Sequence, residues 1–248
     1  LLTEGNYLNG LKHGQWKWYE FGKLESEGNY VNGQINGEYN SYYPSGKLKS
    51  VYYYINDIDT GVWKYYYENG QLERTSPYQN NGRDGASYYY AANGDLQFVK
   101  YHKNNYLIGY SYNGTDGKLK EMIPLNNETG KIETYFSNGK KSAEINVLKG
   151  YHDKECKKYY SSGQLESVEN HENGKDHGAF TFYYPDGKIK EEGNHHFGNF
   201  NGKRTTYFSN GNKKQEMNYK FGILYGPVTF YKENGQKTKI INYYQDQI

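Results

Sequence analysis

One stretch of this sequence decides its fold: Gly61-Val62-Trp63-Lys64-Tyr65-Tyr66-Tyr67-Glu68-Asn69-Gly70-Gln71-Leu72-Glu73-Arg74. A run of aromatic and β-branched residues leads to an Asn-Gly pair, and alternating residues follow it. Asn-Gly between two strand-like runs is the strongest short-range signal for a β-hairpin. We therefore interpret these residues as two antiparallel strands joined by a type I′ turn, with φ > 0 at both Asn69 and Gly70.

The same unit recurs about every 24 residues along the whole chain of 248. Its turn glycine is found at Gly22, Gly46, Gly70, Gly94, Gly117, Gly139, Gly163, Gly187, Gly211 and Gly235. A second glycine lies eight or nine residues upstream, except in the seventh unit, where Lys154 takes its place. Because this register holds from end to end, the sequence predicts ten tandem β-hairpin repeats.

Asn-Gly pairs occupy both kinds of connection. Some close the turn within a repeat (Asn69, Asn93, Asn138, Asn210, Asn234), and others fall between repeats (Asn9, Asn32, Asn81, Asn173, Asn201). Since both connections are turns, no crossover helix is needed. The predicted fold is all-β: an elongated, twisted antiparallel meander sheet of ten hairpins, or roughly twenty short strands.

We expect residues 1–248 to form a single repeat array with one irregular place. The fifth repeat shortens to 109–117, and Pro124 follows it. Proline cannot donate a hydrogen bond to a central strand ladder. The sequence therefore predicts a bulge, bend or break between residues 108 and 131, which separates repeats 1–4 from repeats 6–10.

Composition excludes several classes of function. The chain has 32 Tyr, 30 Gly and 5 Pro, a balance that suits strands and turns better than an aliphatic core. A formal net charge of +2 argues against nucleic acid as a partner, because that affinity needs clustered Lys and Arg. No apolar run is long enough to predict a membrane span. The first residues resemble the middle of a repeat, so we expect any signal peptide or lipid anchor to lie upstream.

Strand alternation assigns the aromatic residues to two faces. Counting five residues from the upstream glycine, or from Lys154, reaches a tyrosine in nine repeats: Tyr19, Tyr42, Tyr66, Tyr90, Tyr135, Tyr159, Tyr183, Tyr207 and Tyr231. The opposite face of the same strand carries Trp16, Trp63, Phe180 and Val228. Two interpretations of the tyrosine column stay open. It stiffens a single-layer sheet, or it forms a rigid aromatic strip for a protein or glycan partner.

The pattern Gly-x-Trp-x-x-Tyr-Tyr-x-Asn-Gly-x-Leu resembles the variant form of the MORN repeat. It is clearest at Leu11–Tyr19, where His13-Gly14 precedes Trp16, and it recurs at Lys175–Ile189. The resemblance implies tandem antiparallel hairpins in an elongated, twisted sheet with a groove. It also implies non-enzymatic work such as scaffolding, dimerisation or proximity to membrane lipid. Bacterial chains of this kind are commonly described as the antitoxin half of toxin–antitoxin pairs.

The residues that could carry chemistry have plainer interpretations. His13 and His177 precede equivalent glycines, whereas His171 and His195 replace the packing tyrosine of other repeats, such as Tyr78. Adjacent residues of a strand face opposite sides, so His195 and His196 cannot chelate as a pair. Cys156 stands at the position of Trp63, has lysine neighbours and is the only cysteine. We therefore predict no catalytic residue, no metal site and no cofactor.

The leading hypothesis is a protein–protein interaction scaffold, of which an antitoxin-like or immunity-like protein is one form. The alternative is a cell-envelope module that binds glycan or a lipid surface with its aromatic rows. Both are compatible with bacterial cytoplasm or the cell envelope, and a chain with one cysteine does not distinguish these compartments.

Overall fold

The computed structural model describes residues 2–244, so the predicted limits of the array at residue 1 and at 245–248 lie outside the described residues. Within 2–244 every regular element is a β-strand. The strands are β1 Leu2–Leu8, β2 Leu11–Glu20, β3 Lys23–Val31, β4 Gln34–Tyr42, β5 Leu48–Ile55, β6 Ile58–Tyr66, β7 Leu72–Gln79, β8 Gly82–Arg83, β9 Gly85–Tyr90, β10 Leu96–Lys103, β11 Tyr106–Ser111, β12 Ile123–Pro124, β13 Gly130–Tyr135, β14 Lys141–Leu148, β15 Tyr151–Tyr159, β16 Leu165–Glu172, β17 Lys175–Tyr183, β18 Ile189–His196, β19 Asn199–Phe200, β20 Gly202–Tyr207, β21 Lys213–Lys220, β22 Ile223–Leu224, β23 Gly226–Tyr231 and β24 Lys237–Tyr243.

These strands form two antiparallel sheets of twelve strands each, β1 to β12 and β13 to β24. Strands that follow each other in sequence are paired. The short strands β8, β19 and β22 pair with β7, β18 and β21, respectively. The longer strands β9, β20 and β23, which follow in sequence, pair with the same three strands. The chain divides at the same place, into a first unit that ends at Leu125 and a second that begins at Asn126. The predicted all-β meander of hairpins is confirmed, although it is shared between two sheets. That the whole chain works as a single array stays a prediction.

The turns between repeats are of the predicted kind. At Asn9-Gly10 the φ angles are 52° and 77°, and at Asn32-Gly33 they are 51° and 85°. Positive φ at both central residues is the geometry of a type I′ turn, whose twist matches that of the strands. Two of the predicted positions are wrong. The left-handed pairs are Asn80-Asn81 and Phe197-Gly198, not Asn81-Gly82 and Asn201-Gly202.

The turn within most repeats differs from the prediction, although in the first repeat Phe21 and Gly22 both have positive φ, at 48° and 76°. Of Asn69 and Gly70, only Gly70 has positive φ, at 89°. The backbone N–H of Gly70 donates to the Tyr67 carbonyl over 2.8 Å, and the Asn69 side chain accepts from the Gln71 N–H over 3.0 Å. The loop is therefore a type I turn followed by a left-handed glycine, and asparagine serves it through its side chain. The type I′ prediction at Asn69, Asn93, Asn138, Asn210 and Asn234 is wrong for this reason.

The upstream glycine of the repeat is also left-handed in most units, with φ of 96° at Gly37 and 68° at Gly61. Lys154 keeps that conformation in the seventh repeat, at φ 57°. A side chain in this region costs about 1–2 kcal/mol, because its Cβ approaches the following carbonyl. The backbone of the repeat is therefore maintained even where the sequence departs from glycine.

Burial is uneven along each sheet. Phe98 and Val99 on β10 are fully buried in the first unit, and Ile132 on β13 and Ile145 on β14 are fully buried in the second. Elsewhere the buried side chains range from small ones, such as Ser50 and Ser76, to the rings of Trp16 and Phe180. The largest group of fully buried apolar side chains therefore lies on β10, β13 and β14.

Candidate binding faces of the two sheets

The predicted tyrosine column lies half-buried on one face of each sheet, here called the column face. Tyr42 illustrates its chemistry, because its hydroxyl donates to Glu27 over 2.6 Å. The acceptor lies fifteen residues upstream, and the same spacing recurs: Tyr19 to Glu4 (2.7 Å), Tyr159 to Glu144 (2.7 Å), Tyr207 to Glu192 (2.6 Å) and Tyr231 to Glu216. Each of these bonds links a column tyrosine to the preceding hairpin.

These bonds have electrostatic consequences. Burial and the bond to Glu27 raise the pKa of Tyr42 to about 12, and burial and Glu144 do the same for Tyr159. Hydrogen bonds from Lys131, Lys141 and Tyr159 lower the pKa of Glu144 to about 2. The corresponding lysine distances are 2.6 Å and 2.9 Å. At neutral pH Tyr42 and Tyr159 are therefore neutral phenols, and Glu144 is an ionised carboxylate.

A second row of tyrosines connects neighbouring repeats through the backbone. Each follows a column tyrosine in sequence and donates its hydroxyl to the carbonyl of the column residue one repeat further on. The bonds are Tyr43 to Tyr66 (2.7 Å), Tyr67 to Tyr90 (2.8 Å), Tyr160 to Tyr183 (2.6 Å) and Tyr184 to Tyr207 (2.7 Å). At Tyr42-Tyr43 and Tyr159-Tyr160 the hydroxyls of both residues thus hold successive hairpins together.

The opposite side of the first sheet carries a continuous cluster of rings, here called the aromatic face. It comprises Trp16, Trp18, Tyr30, Tyr39, Tyr52, Tyr54, Trp63, Tyr65 and Tyr78. Trp63 stacks on Tyr78 with ring centroids 4.1 Å apart and meets Tyr52 edge-on at 4.6 Å. Edge-on and offset contacts of this kind contribute roughly 0.5–1.5 kcal/mol beyond burial. Most of these rings stay partly exposed.

Glycines in the strands make room for the rings. A Cβ on Gly28 would lie 2.4 Å from the Tyr39 ring, and one on Gly5 would lie 2.2 Å from Trp16. The register places Gly28 directly beside two rings, because it pairs with both Trp16 and Tyr39. Strand glycine often marks such a close approach.

Two cations lie over this cluster. Lys12 Nζ is 4.6 Å from the Trp16 centroid and 5.0 Å from that of Tyr30, and the Arg74 guanidinium is 3.9 Å from that of Tyr65. Such cation–π contacts stabilise by roughly 0.5–2 kcal/mol, depending on solvation. The aromatic face of the first unit is therefore apolar and locally positive.

The second unit has smaller and more polar side chains at the equivalent positions. Phe180 contacts His195 at 4.6 Å between ring centroids, and His195 stacks on Phe200 at 4.5 Å. Burial lowers the pKa of His195. The nearby His152, Cys156 and His171 place their potential ligand atoms within 4.8 Å of one another, as do Glu169, His171 and Asp176.

Sequence reasoning separated the two faces but missed part of each. It put Trp16 and Trp63 opposite the column, where the structure has them. It did not recognise Tyr39 and Tyr52 as members of the same cluster, although strand alternation on β4 and β5 could have indicated this. It also missed the glutamates, for which the signal was a constant offset of fifteen residues. A binding role for the column stays a prediction.

Among residues 2–244, no helix has the length and apolar character needed to cross a membrane. The sequence model described as "MORN repeat variant" matches six segments of the chain: 12–32, 35–56, 59–80, 153–173, 176–196 and 200–221. They correspond to repeats one to three and seven to nine. No curated protein matches the chain.

Proposed function

Because the chain belongs to the MORN repeat variant family, we propose that it is a non-enzymatic scaffold that binds another protein through the aromatic face of its first unit. The repeats themselves are interaction modules that generally have no catalytic role. The observation that carries the proposal is the continuous, partly exposed cluster of tryptophan and tyrosine rings with Lys12 and Arg74 above it.

This composition suits a protein partner. Tryptophan, tyrosine and arginine are the residues that most often dominate the energy of protein–protein interfaces. A partly exposed apolar cluster of this extent is a common sign of an interaction site. The column face is less suited, because hydroxyls such as those of Tyr42 and Tyr159 already bond to glutamates.

The cations favour a partner with acidic side chains beside its apolar contact residues. Lys12 and Arg74 lie over ring faces that a neutral sugar would need for stacking. A carboxylate can pair with either cation and leave the ring contact intact. An antitoxin-like or immunity-like protein, which covers the surface of a toxin, is one form of this function.

Two adjacent residues of β5 provide a matched test. Tyr52 lies in the aromatic face, with its ring 4.6 Å from Trp63, whereas Tyr53 lies on the column face and donates to Glu38 over 3.2 Å. The tagged chain and its Tyr52→Ala and Tyr53→Ala variants are used to capture partners from the native host. Quantitative mass spectrometry then identifies and counts what is bound.

We expect one stoichiometric protein, with affinity reduced more than tenfold by Tyr52→Ala and little changed by Tyr53→Ala. Loss of a central interface tyrosine typically costs about 2 kcal/mol, and 1.4 kcal/mol is tenfold in affinity. A larger effect of Tyr53→Ala would move the site to the tyrosine column. Retention on purified cell wall or lipid vesicles, with no protein partner, would support the envelope-binding alternative instead.

A further inference from the structure

Three positions of the repeat meet on the side of the sheet opposite the column. They are the tryptophan position, the residue four before it, and the tyrosine position on the next strand. In the first repeat they hold Lys12, Trp16 and Tyr30, with Lys12 Nζ 4.6 Å and 5.0 Å from the two ring centroids. In the third repeat Trp63 and Tyr78 stack at 4.1 Å. In these repeats the positions serve packing.

The seventh repeat has a different residue type at all three positions. His152 and Cys156 on β15 and His171 on β16 place their ligand atoms within 4.8 Å of one another. The two imidazole rings meet edge-on with centroids 5.1 Å apart. Cys156 is buried, and its thiol points to the Asn146 carbonyl at a sulfur–oxygen distance of 3.9 Å. Two imidazoles and a thiol thus replace a packed aromatic group.

We propose that His152, Cys156 and His171 form a binding site for a thiophilic transition-metal ion of the Zn²⁺ class. Thiolate and imidazole are the ligands that Zn²⁺ prefers, at about 2.3 Å and 2.0–2.1 Å. Tetrahedral bonds of these lengths separate the ligand atoms by about 3.5 Å. The ligand atoms, which lie within 4.8 Å of one another, would have to approach by no more than about 1.3 Å to reach that value.

The surroundings of His171 fit this role. Its Nδ1 lies 3.0 Å from an Asp176 carboxylate oxygen, and Asp176 is on the adjacent strand β17. The contact does not have hydrogen-bond geometry, but a carboxylate beside one ring nitrogen is the usual neighbour of a histidine that binds metal through the other. Three protein ligands leave a fourth position for water or for a side chain of a partner.

Binding of the ion releases a proton from the site. The Cys156 thiol loses its proton to solvent, and the thiolate, two neutral imidazoles and the ion form the complex. No electron transfer is involved. Affinity should therefore rise with pH, because binding of the ion releases a proton. A hard cation such as Mg²⁺ should not compete, because it prefers oxygen ligands.

The test is isothermal titration calorimetry of the whole chain with Zn²⁺ alone, which measures affinity and stoichiometry. The absorption spectrum of the Co²⁺ complex then shows whether a thiolate is bound. The variants are Cys156→Ser, which retains the size of the side chain, and His171→Tyr, which restores the residue of Tyr30 and Tyr78. His195→Tyr is the matched control, because it makes the same change one repeat away. Amide hydrogen exchange verifies that each variant is folded, and His152→Gln replaces any variant that is not.

We expect one Zn²⁺ per chain and a thiolate-to-cobalt charge-transfer band. Affinity should fall at least tenfold in His171→Tyr, the band should vanish in Cys156→Ser, and His195→Tyr should match the unmodified chain. Absence of saturable Zn²⁺ binding would overturn the proposal. So would binding of undiminished affinity in the folded Cys156→Ser variant, since the ion would then lie elsewhere.

Discussion

The two units are built on one repeat and stabilised by different chemistry. In the first unit, contacts between aromatic rings dominate. All three tryptophans of the chain lie there, and the single ring of Trp63 contacts those of Tyr52, Tyr54 and Tyr78. In the second unit, ion pairs and histidine side chains are more prominent. Glu144 and Glu216 each receive two lysines and a tyrosine. The backbone, set by turns and left-handed glycines, accepts either set of side chains. Each face is therefore free to specialise.

The aromatic contacts of the first unit depend most strongly on Trp63. Trp63→Ala should destabilise the first unit by about 3 kcal/mol, the lower end of the range for aromatic truncation, because the ring is only half-buried. Urea unfolding followed by tryptophan fluorescence reports on the first unit alone, since Trp16 and Trp18 remain there. Hydrogen exchange in strands β15 to β18 should stay unchanged. Equal loss of protection in both units would instead show that the chain unfolds as one cooperative array.

The ionic contacts of the second unit depend in the same way on Glu144. Glu144→Gln should cost about 1.5 kcal/mol at pH 7, because it removes a charge that holds two lysines and a tyrosine. The pKa of Glu144 is lowered to about 2 from 4.5, so its contribution is complete above pH 4.5 and is lost as pH falls towards 2. The variant should therefore approach the unmodified chain in acid. The matched control is Glu27→Gln, at the equivalent place in the first unit. The Glu27 carboxylate accepts from the Tyr42 hydroxyl and, over 3.0 Å, from the Gln15 side-chain amide, and its one lysine neighbour lies at 4.0 Å. An equal loss in both variants at pH 7 would contradict the contrast between units.

Column tyrosines with a glutamate partner should differ from those without one. Burial and the bond to Glu192 raise the pKa of Tyr207 to about 12. A raised pKa means that this contribution is complete below pH 10 and is lost as pH rises through about 12. Tyr207→Phe should cost about 1 kcal/mol at pH 7, the size of one hydrogen bond. Tyr66→Phe should cost less, because the position of the glutamate, fifteen residues upstream, holds Val51, whose side chain cannot accept a hydrogen bond. Thermal unfolding at pH 7 and phenolate absorbance above pH 10 measure the two effects, and equal losses would remove the glutamate from the explanation.

The structural features common to all repeats could be predicted from the sequence, whereas those that differ between repeats could not. Periodic glycines and strand alternation were enough for the hairpins, the meander and the two faces. Turn type was misassigned at Asn69 because the same dipeptide serves both connections, and only the hydrogen bond between Gly70 and Tyr67 distinguishes them. The ring cluster and the histidine–cysteine group depend on which residues meet across strands. Bulges such as the register shift between Trp18 and Tyr19 decide that, and they follow from packing rather than from local pattern.

The smallest expected change in stability is at Lys154, which takes the place of the upstream glycine in the seventh repeat. Lys154→Gly should stabilise the second unit by roughly 0.5–1 kcal/mol, because it relieves a side chain at φ 57° and adds some freedom to the unfolded chain. The reciprocal change, Gly61→Lys, should cost the first unit more than this gain, since its Cβ would also meet the Tyr53 Cβ at 3.2 Å. Thermal unfolding of the two variants measures both changes. If Lys154→Gly destabilised the chain, Lys154 would have to make a compensating contact, and its departure from glycine would then belong with those of Cys156 and His171 as part of one specialised repeat.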